Sequence, residues 1–141
     1  MLTINEYRKV ESLEEAYELN QKKNNKIIAG GVWMKIGDRR IATAIDLSGL
    51  GLDQITETDT EFVIGAMTTL REIEKHAGLA AYTDGAIRES VRHIVGVQFR
   101  NCATVGGSIY GRFGFSDVLT LFAALDCYVE LYKGGNVPIQ E

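Results

Sequence analysis

Residues 100 to 117 read Arg-Asn-Cys-Ala-Thr-Val-Gly-Gly-Ser-Ile-Tyr-Gly-Arg-Phe-Gly-Phe-Ser-Asp, with four glycines and two arginines, in a chain that has a single proline. Gly106 and Gly107 lack a Cβ, so a backbone with φ > 0 and a close approach to a ligand are both open there. Consecutive N–H groups in such a turn form an anion-binding concavity. An ordinary tight turn would use the same residues. Ser116-Asp117 closes the stretch as a helix start.

Working outward, Lys26-Ile27-Ile28-Ala29 is a short apolar run that reads as a buried strand and breaks into Gly30-Gly31, followed by Val32-Trp33-Met34-Lys35-Ile36. The chain thus contains two expected strand-to-diglycine transitions. Ligands in α/β folds sit where strands end and free N–H groups point outward, and two such loops converging on one pyrophosphate is the economical reading. A dinucleotide-binding Rossmann fingerprint is absent: Gly49-Leu50-Gly51 is the one G-x-G in a suitable place, and Gln54 stands where the third glycine belongs.

Composition narrows the function classes. At 141 residues, 45% hydrophobic and 24% charged, the chain reads as one soluble domain, long enough for a core and short for a complete redox enzyme. The net charge of −4 leaves no basic stripe for nucleic acid or an anionic membrane. Met1 to Glu18 lacks the apolar centre of a signal peptide, so the expected location is cytoplasmic. Cys102 and Cys127 show no metal-ligand or disulfide spacing and are expected to be buried, and His76 and His93 are lone histidines on helical patterns.

Ser12-Leu13-Glu14-Glu15 reads as a capping box opening an amphipathic helix, and Thr69 with Glu72 as a second one whose helix ends at a C′ glycine, Gly78. Strands are expected at 26–29 and 42–46, a hairpin around Thr58-Asp59-Thr60, a helix over 84–93, a buried helix from Ser116, and a strand over 127–132. Character changes near Leu52, which places a boundary between residues 1–53, with the loop at Gly30-Gly31, and 54–141, with the loop at Gly106-Gly107.

Five blocks then line up: Ile28 to Gly31, Asp46-Leu47-Ser48, Val63 to Thr69 with Glu72-Ile73, Phe99 to Ile109, and Ser116-Asp117. In order and spacing the chain resembles the medium, FAD-binding subunit of the xanthine dehydrogenase and carbon monoxide dehydrogenase molybdenum hydroxylases. The resemblance implies an α+β chain with the p-cresol methylhydroxylase-type FAD-binding fold, built of two α/β subdomains. It implies cofactor contacts from Ala29, Gly30, Gly31, Val32, Trp33 and Met34 in the first loop and from Thr104, Gly106, Gly107 and Ser108 in the second. Ile94 would touch the cofactor and Asp117 would bond its hydroxyls. The partners implied are an iron–sulfur subunit and a molybdenum-cofactor subunit, with electrons leaving through FAD to NAD or another acceptor, and no substrate oxidation by this chain alone.

Departures from the family pattern define the alternative. Val32 and Trp33 stand where the family has a threonine and an acidic residue, Ser108 stands at a frequent asparagine, and the family continues with a C-terminal domain expected to be absent here. The alternative function is an incomplete module that binds no flavin and serves in subunit assembly.

Overall fold

The computed structural model describes residues 1 to 140. The N-terminal part is a three-stranded parallel sheet with spatial order β1-β3-β2: β1 (Thr3–Lys9), β2 (Lys26–Ile28) and β3 (Arg40–Asp46). Ile41, Ala44 and Ile45 on β3 are buried, as expected of a central strand whose two faces are both covered. Strand β1 was not anticipated from sequence. It is an edge strand exposed along its whole length, and its charged and polar residues hide the strand signal. Helix α1 (Leu13–Asn20) packs Ala16 and Leu19 into a core with Val10, Ile45 and Leu47. Ser12 caps it by accepting from the Glu15 amide, and the Glu15 carboxylate bonds the Glu11 amide and Arg8 rather than closing a full box.

An antiparallel hairpin of β4 (Ile55–Glu57) and β5 (Phe62–Ile64) follows, its turn held by the Thr58 hydroxyl accepting from the Thr60 and Glu61 amides. Six helices then surround a second core containing Leu70, Ile73, Ile87, Val91, Val118 and Phe122. They are α2 (Leu70–Lys75), α3 (Ala77–Tyr82), α4 (Ala86–Arg92), α5 (Val97–Cys102), α6 (Val105–Tyr110) and α7 (Asp117–Ala124). The Thr69–Glu72 capping box is complete. Its helix stops at Lys75, before Gly78, because His76 leaves the helical conformation and caps α3, its Nδ1 accepting from the Leu79 amide. Gly78 therefore lies inside α3 and is no C′ glycine: a Cβ there would approach Glu57 and Phe62 of the hairpin. The chain closes with the antiparallel pair β6 (Tyr128–Leu131) and β7 (Gly135–Pro138). Cys102 is exposed, since it ends α5 at the surface, and Cys127 is half-buried against the second core, so the expected burial of both thiols does not hold. Among the described residues no helix is long and apolar enough to cross a membrane.

Candidate functional site

The first diglycine segment meets the chain at Cys102 and Ala103, just ahead of the second, and the two are built differently. Gly30 follows β2, and a Cβ on it would overlap the carbonyl of Cys102 and approach the Ala103 nitrogen, so this glycine exists to let two backbones touch. Gly31 has φ +67° with open space around it. The turn it makes leads through Val32 and Trp33 into a 3₁₀ turn over Met34–Ile36, where the Lys35 amide bonds the Gly31 carbonyl. Among the described residues, the amides of Gly31, Val32 and Trp33 donate to no protein acceptor. Solvent-facing N–H groups left without acceptors are what an anionic ligand engages.

The second diglycine does not follow the strand expected from sequence but opens α6 directly after the end of α5. Gly106 and Gly107 lie in the first turns of α6, and neither has positive φ. The amides of Val105, Gly106 and Gly107 are satisfied within the chain, by the Thr68 carbonyl, the Ala66 carbonyl and the Thr104 hydroxyl at 2.9, 3.0 and 3.2 Å. A Cβ on Gly106 would stand 2.6 Å from the Ala66 carbonyl oxygen, whereas one on Gly107 would meet only the Thr104 hydroxyl at 3.0 Å. Each pair therefore divides its labour: Gly30 and Gly106 pack chain on chain, and Gly31 and Gly107 leave a face without side chains. Thr104 is buried as the α6 cap, and the Ser108 hydroxyl donates to the Thr104 carbonyl at 2.9 Å.

Val32 packs against the helical core that contains Ala103 and Val105. Trp33 touches Phe113 and Phe115, in the segment between α6 and α7, with ring centres 5.6 and 5.7 Å away. Residue Asp117 follows directly, in the first turn of α7, whose cap Ser116 accepts from the Leu119 amide. The fold thus gathers the first loop, the start of α6 and Asp117. Ile94 packs on the same helical core as Val32, and its carbonyl accepts from Arg100 Nη1 at 3.0 Å. A groove of about 560 Å³ between the hairpin and α2, lined by residues such as Gln54, Arg71 and His76, shares no residue with this group.

Three features were not singled out from sequence. Arg100, buried on α5, donates from Nε to Glu74 on α2 at 2.9 Å, and Arg71 pairs with the other oxygen of the same carboxylate at 2.9 Å. Burial pushes the Glu74 carboxyl up, and the bonds from Arg71 and Arg100 outweigh it and hold the group below the usual carboxylate range. The Phe113–Phe115 pair was readable only as part of a loop. Val95, next to Ile94, has φ +49° and is 80% exposed, a left-handed conformation that a β-branched residue rarely adopts. Val95→Gly is expected to stabilise the protein by about 0.5–1 kcal/mol. Relief of about 1–2 kcal/mol of left-handed strain outweighs the glycine's entropy cost of about 0.5–1 kcal/mol. Urea denaturation midpoints measure it.

A family model described as the FAD binding domain in molybdopterin dehydrogenase matches residues 3–140. The uncharacterized protein YgfM of Escherichia coli strain K12 is 27% identical over 146 residues, a match spanning 98% of this chain and 53% of that protein. A solved carbon monoxide dehydrogenase from Hydrogenophaga pseudoflava, in a form lacking the Mo-pyranopterin moiety of its molybdenum cofactor, matches with TM-score 0.86 and 28% identity over 96% of this chain and 50% of that one. Quinoline 2-oxidoreductase from Pseudomonas putida 86 shares the fold, with TM-score 0.83 and 22% identity over 95% of this chain and 50% of that one. The chain spans about half the length of the relatives it matches.

Proposed function

The chain belongs to the FAD-binding domain family of the molybdopterin dehydrogenases, and from that premise we propose that it is the FAD-holding electron-transfer component of a xanthine dehydrogenase-like molybdenum hydroxylase. The cofactor of the family is FAD. The observation that carries the reading is the run of acceptor-less amides at Gly31, Val32 and Trp33, laid against the start of α6 by the contact of Gly30 with Cys102. A pyrophosphate supplies the oxygens those amides lack, so the residues present fit the cofactor. Flavin chemistry at this site would collect single electrons, as from an iron–sulfur centre, and make them available as a pair, as in hydride transfer.

The chain's own residues bind and orient. Gly31 sets the left-handed turn that aims the amides. Gly107 keeps the facing surface of α6 free of side chains, and Asp117 offers a carboxylate to cofactor hydroxyls from a capped helix start. Thr104 and Ser108 hold the backbone at the start of α6 through their own bonds. We propose residues 1–53 and 54–141 as the two units that close on the cofactor, a cytoplasmic location, and iron–sulfur and molybdenum-cofactor subunits as partners. The proposed electron acceptor is NAD or another carrier.

FAD titration followed by flavin fluorescence tests the reading, with FMN as the comparison lacking the adenylate half. FAD is expected to bind more tightly, and equal or tighter FMN binding would count against a pyrophosphate site. Asp117→Ala should weaken FAD by about tenfold or more, because charge-assisted bonds contribute about 1.5–3 kcal/mol each. Apo-protein stability should change by only about 0.3–1 kcal/mol, the contribution of a carboxylate to the helix dipole. A second reading, an assembly module without flavin, is favoured by Val32 and Trp33, whose side chains pack on protein instead of offering polar contacts. A purified protein with no flavin absorbance and no uptake of added FAD would support it.

A further inference from the structure

Trp33, Phe113 and Phe115 form one cluster in which Phe113 and Phe115 stack at 5.2 Å and 14° while Trp33 tilts against both. The cluster is not core. Trp33 is 53% exposed, Phe113 40% and Phe115 66%, so much of the ring surface faces water. Its rings come from both sides of the site: Trp33 is one of the residues with an acceptor-less amide, and Phe115 stands two residues before Asp117. Gly114, between the two phenylalanines, has nothing within 4 Å of the place its Cβ would take, which keeps the approach clear. Uncovered aromatic surface beside phosphate-seeking amides and a hydroxyl-seeking carboxylate suits a ligand with a flat ring attached to its phosphate chain.

We propose that Phe115, supported by Phe113 and Trp33, is a stacking face for one of the two planar rings of the dinucleotide, which makes this aromatic cluster a specificity element of the site. The inference rests on the FAD reading above. Phe113 is the anchor, since its ring fills the space beside Gly111, where a Cβ would lie 2.7 Å from Phe113 Cε2. Phe115, the most exposed of the three, presents the face.

The test compares the full chain with Phe115→Leu, which keeps apolar bulk and removes the flat ring, and with Phe115→Tyr, which keeps the ring. Dissociation constants for FAD, ADP and FMN are measured by equilibrium dialysis, and melting temperatures on the apo-proteins. Phe115→Leu is expected to weaken FAD by about tenfold and Phe115→Tyr by less than about twofold, with apo melting temperatures unchanged. The same loss should appear with one half of the cofactor: with ADP if the adenine stacks, with FMN if the isoalloxazine does. Loss with neither half, FAD binding by Phe115→Leu equal to the parent's, or a fall in its apo melting temperature would overturn the assignment. A parent chain that binds no FAD would instead sink the cofactor reading, and this inference with it.

Discussion

Gly30→Ala is expected to destabilise the protein by about 3 kcal/mol and to abolish FAD binding at concentrations that saturate the parent. The new methyl group would occupy the position of the Cys102 carbonyl, and neither partner is a flexible side chain that could swing away. Relief requires β2 and its loop to separate from the end of α5, which breaks the contact that sets the amides of Gly31 to Trp33 against α6. Gly31→Ala is the control. Space is open there, so its cost is the left-handed strain of about 1–2 kcal/mol. Chemical denaturation together with FAD titration separates the two, and equal stability losses would show that the backbone contact at Gly30 does not hold the halves together.

Arg100→Ala carries the second large effect, about 3 kcal/mol, because removing one partner of a buried ion pair leaves the other uncompensated. Arg71 still pairs with Glu74, which keeps the loss at the lower end of the range for such pairs. The Ile94 carbonyl also loses its donor, so the strained segment at Val95 is freed at the same time. The acid range gives an independent reading of the same network. The folded-state Glu74 carboxyl is held below its ordinary value, so its contribution is complete above the unfolded-state value of about 4.3 and is lost as pH falls through the folded one. Glu74→Gln should therefore have a flatter stability profile than the parent below about pH 4. Parallel profiles would mean that Glu74 is not the group linking stability to pH.

What could be read from sequence was local. The Thr69–Glu72 box, the Ser116 cap and the hairpin around Thr58 each declare themselves within four or five residues, and each forms. The diglycine pairs were visible as pairs, but which glycine packs on protein and which faces outward depends on Cys102 and Ala66, which no local pattern connects to them. The strand-to-diglycine transition expected at Gly106-Gly107 is a helix start, since the buried Thr104 and Thr68 supply the acceptors that let α6 begin there. Glu74 and Arg100 lie 26 residues apart on separate helices. A charged residue on a short helix carries no mark of burial until its partner is placed. Strand β1 escaped for the opposite reason: an edge strand can be almost wholly polar.

That edge strand also sets the order in which the protein can take shape during synthesis. Its partner is β3, and the cross-strand neighbours Glu6 and Thr43 are 37 residues apart. At about 5–20 residues per second, β1 waits roughly 2–7 s on the ribosome before anything exists for it to pair with. In that interval α1 is an eight-residue helix, too short to persist alone despite its cap. Strand β2 must pair with β3 as well. The N-terminal sheet therefore condenses in one step when β3 emerges, and until then the nascent chain offers β1 as an unpaired strand to whatever chaperone or neighbouring chain is near.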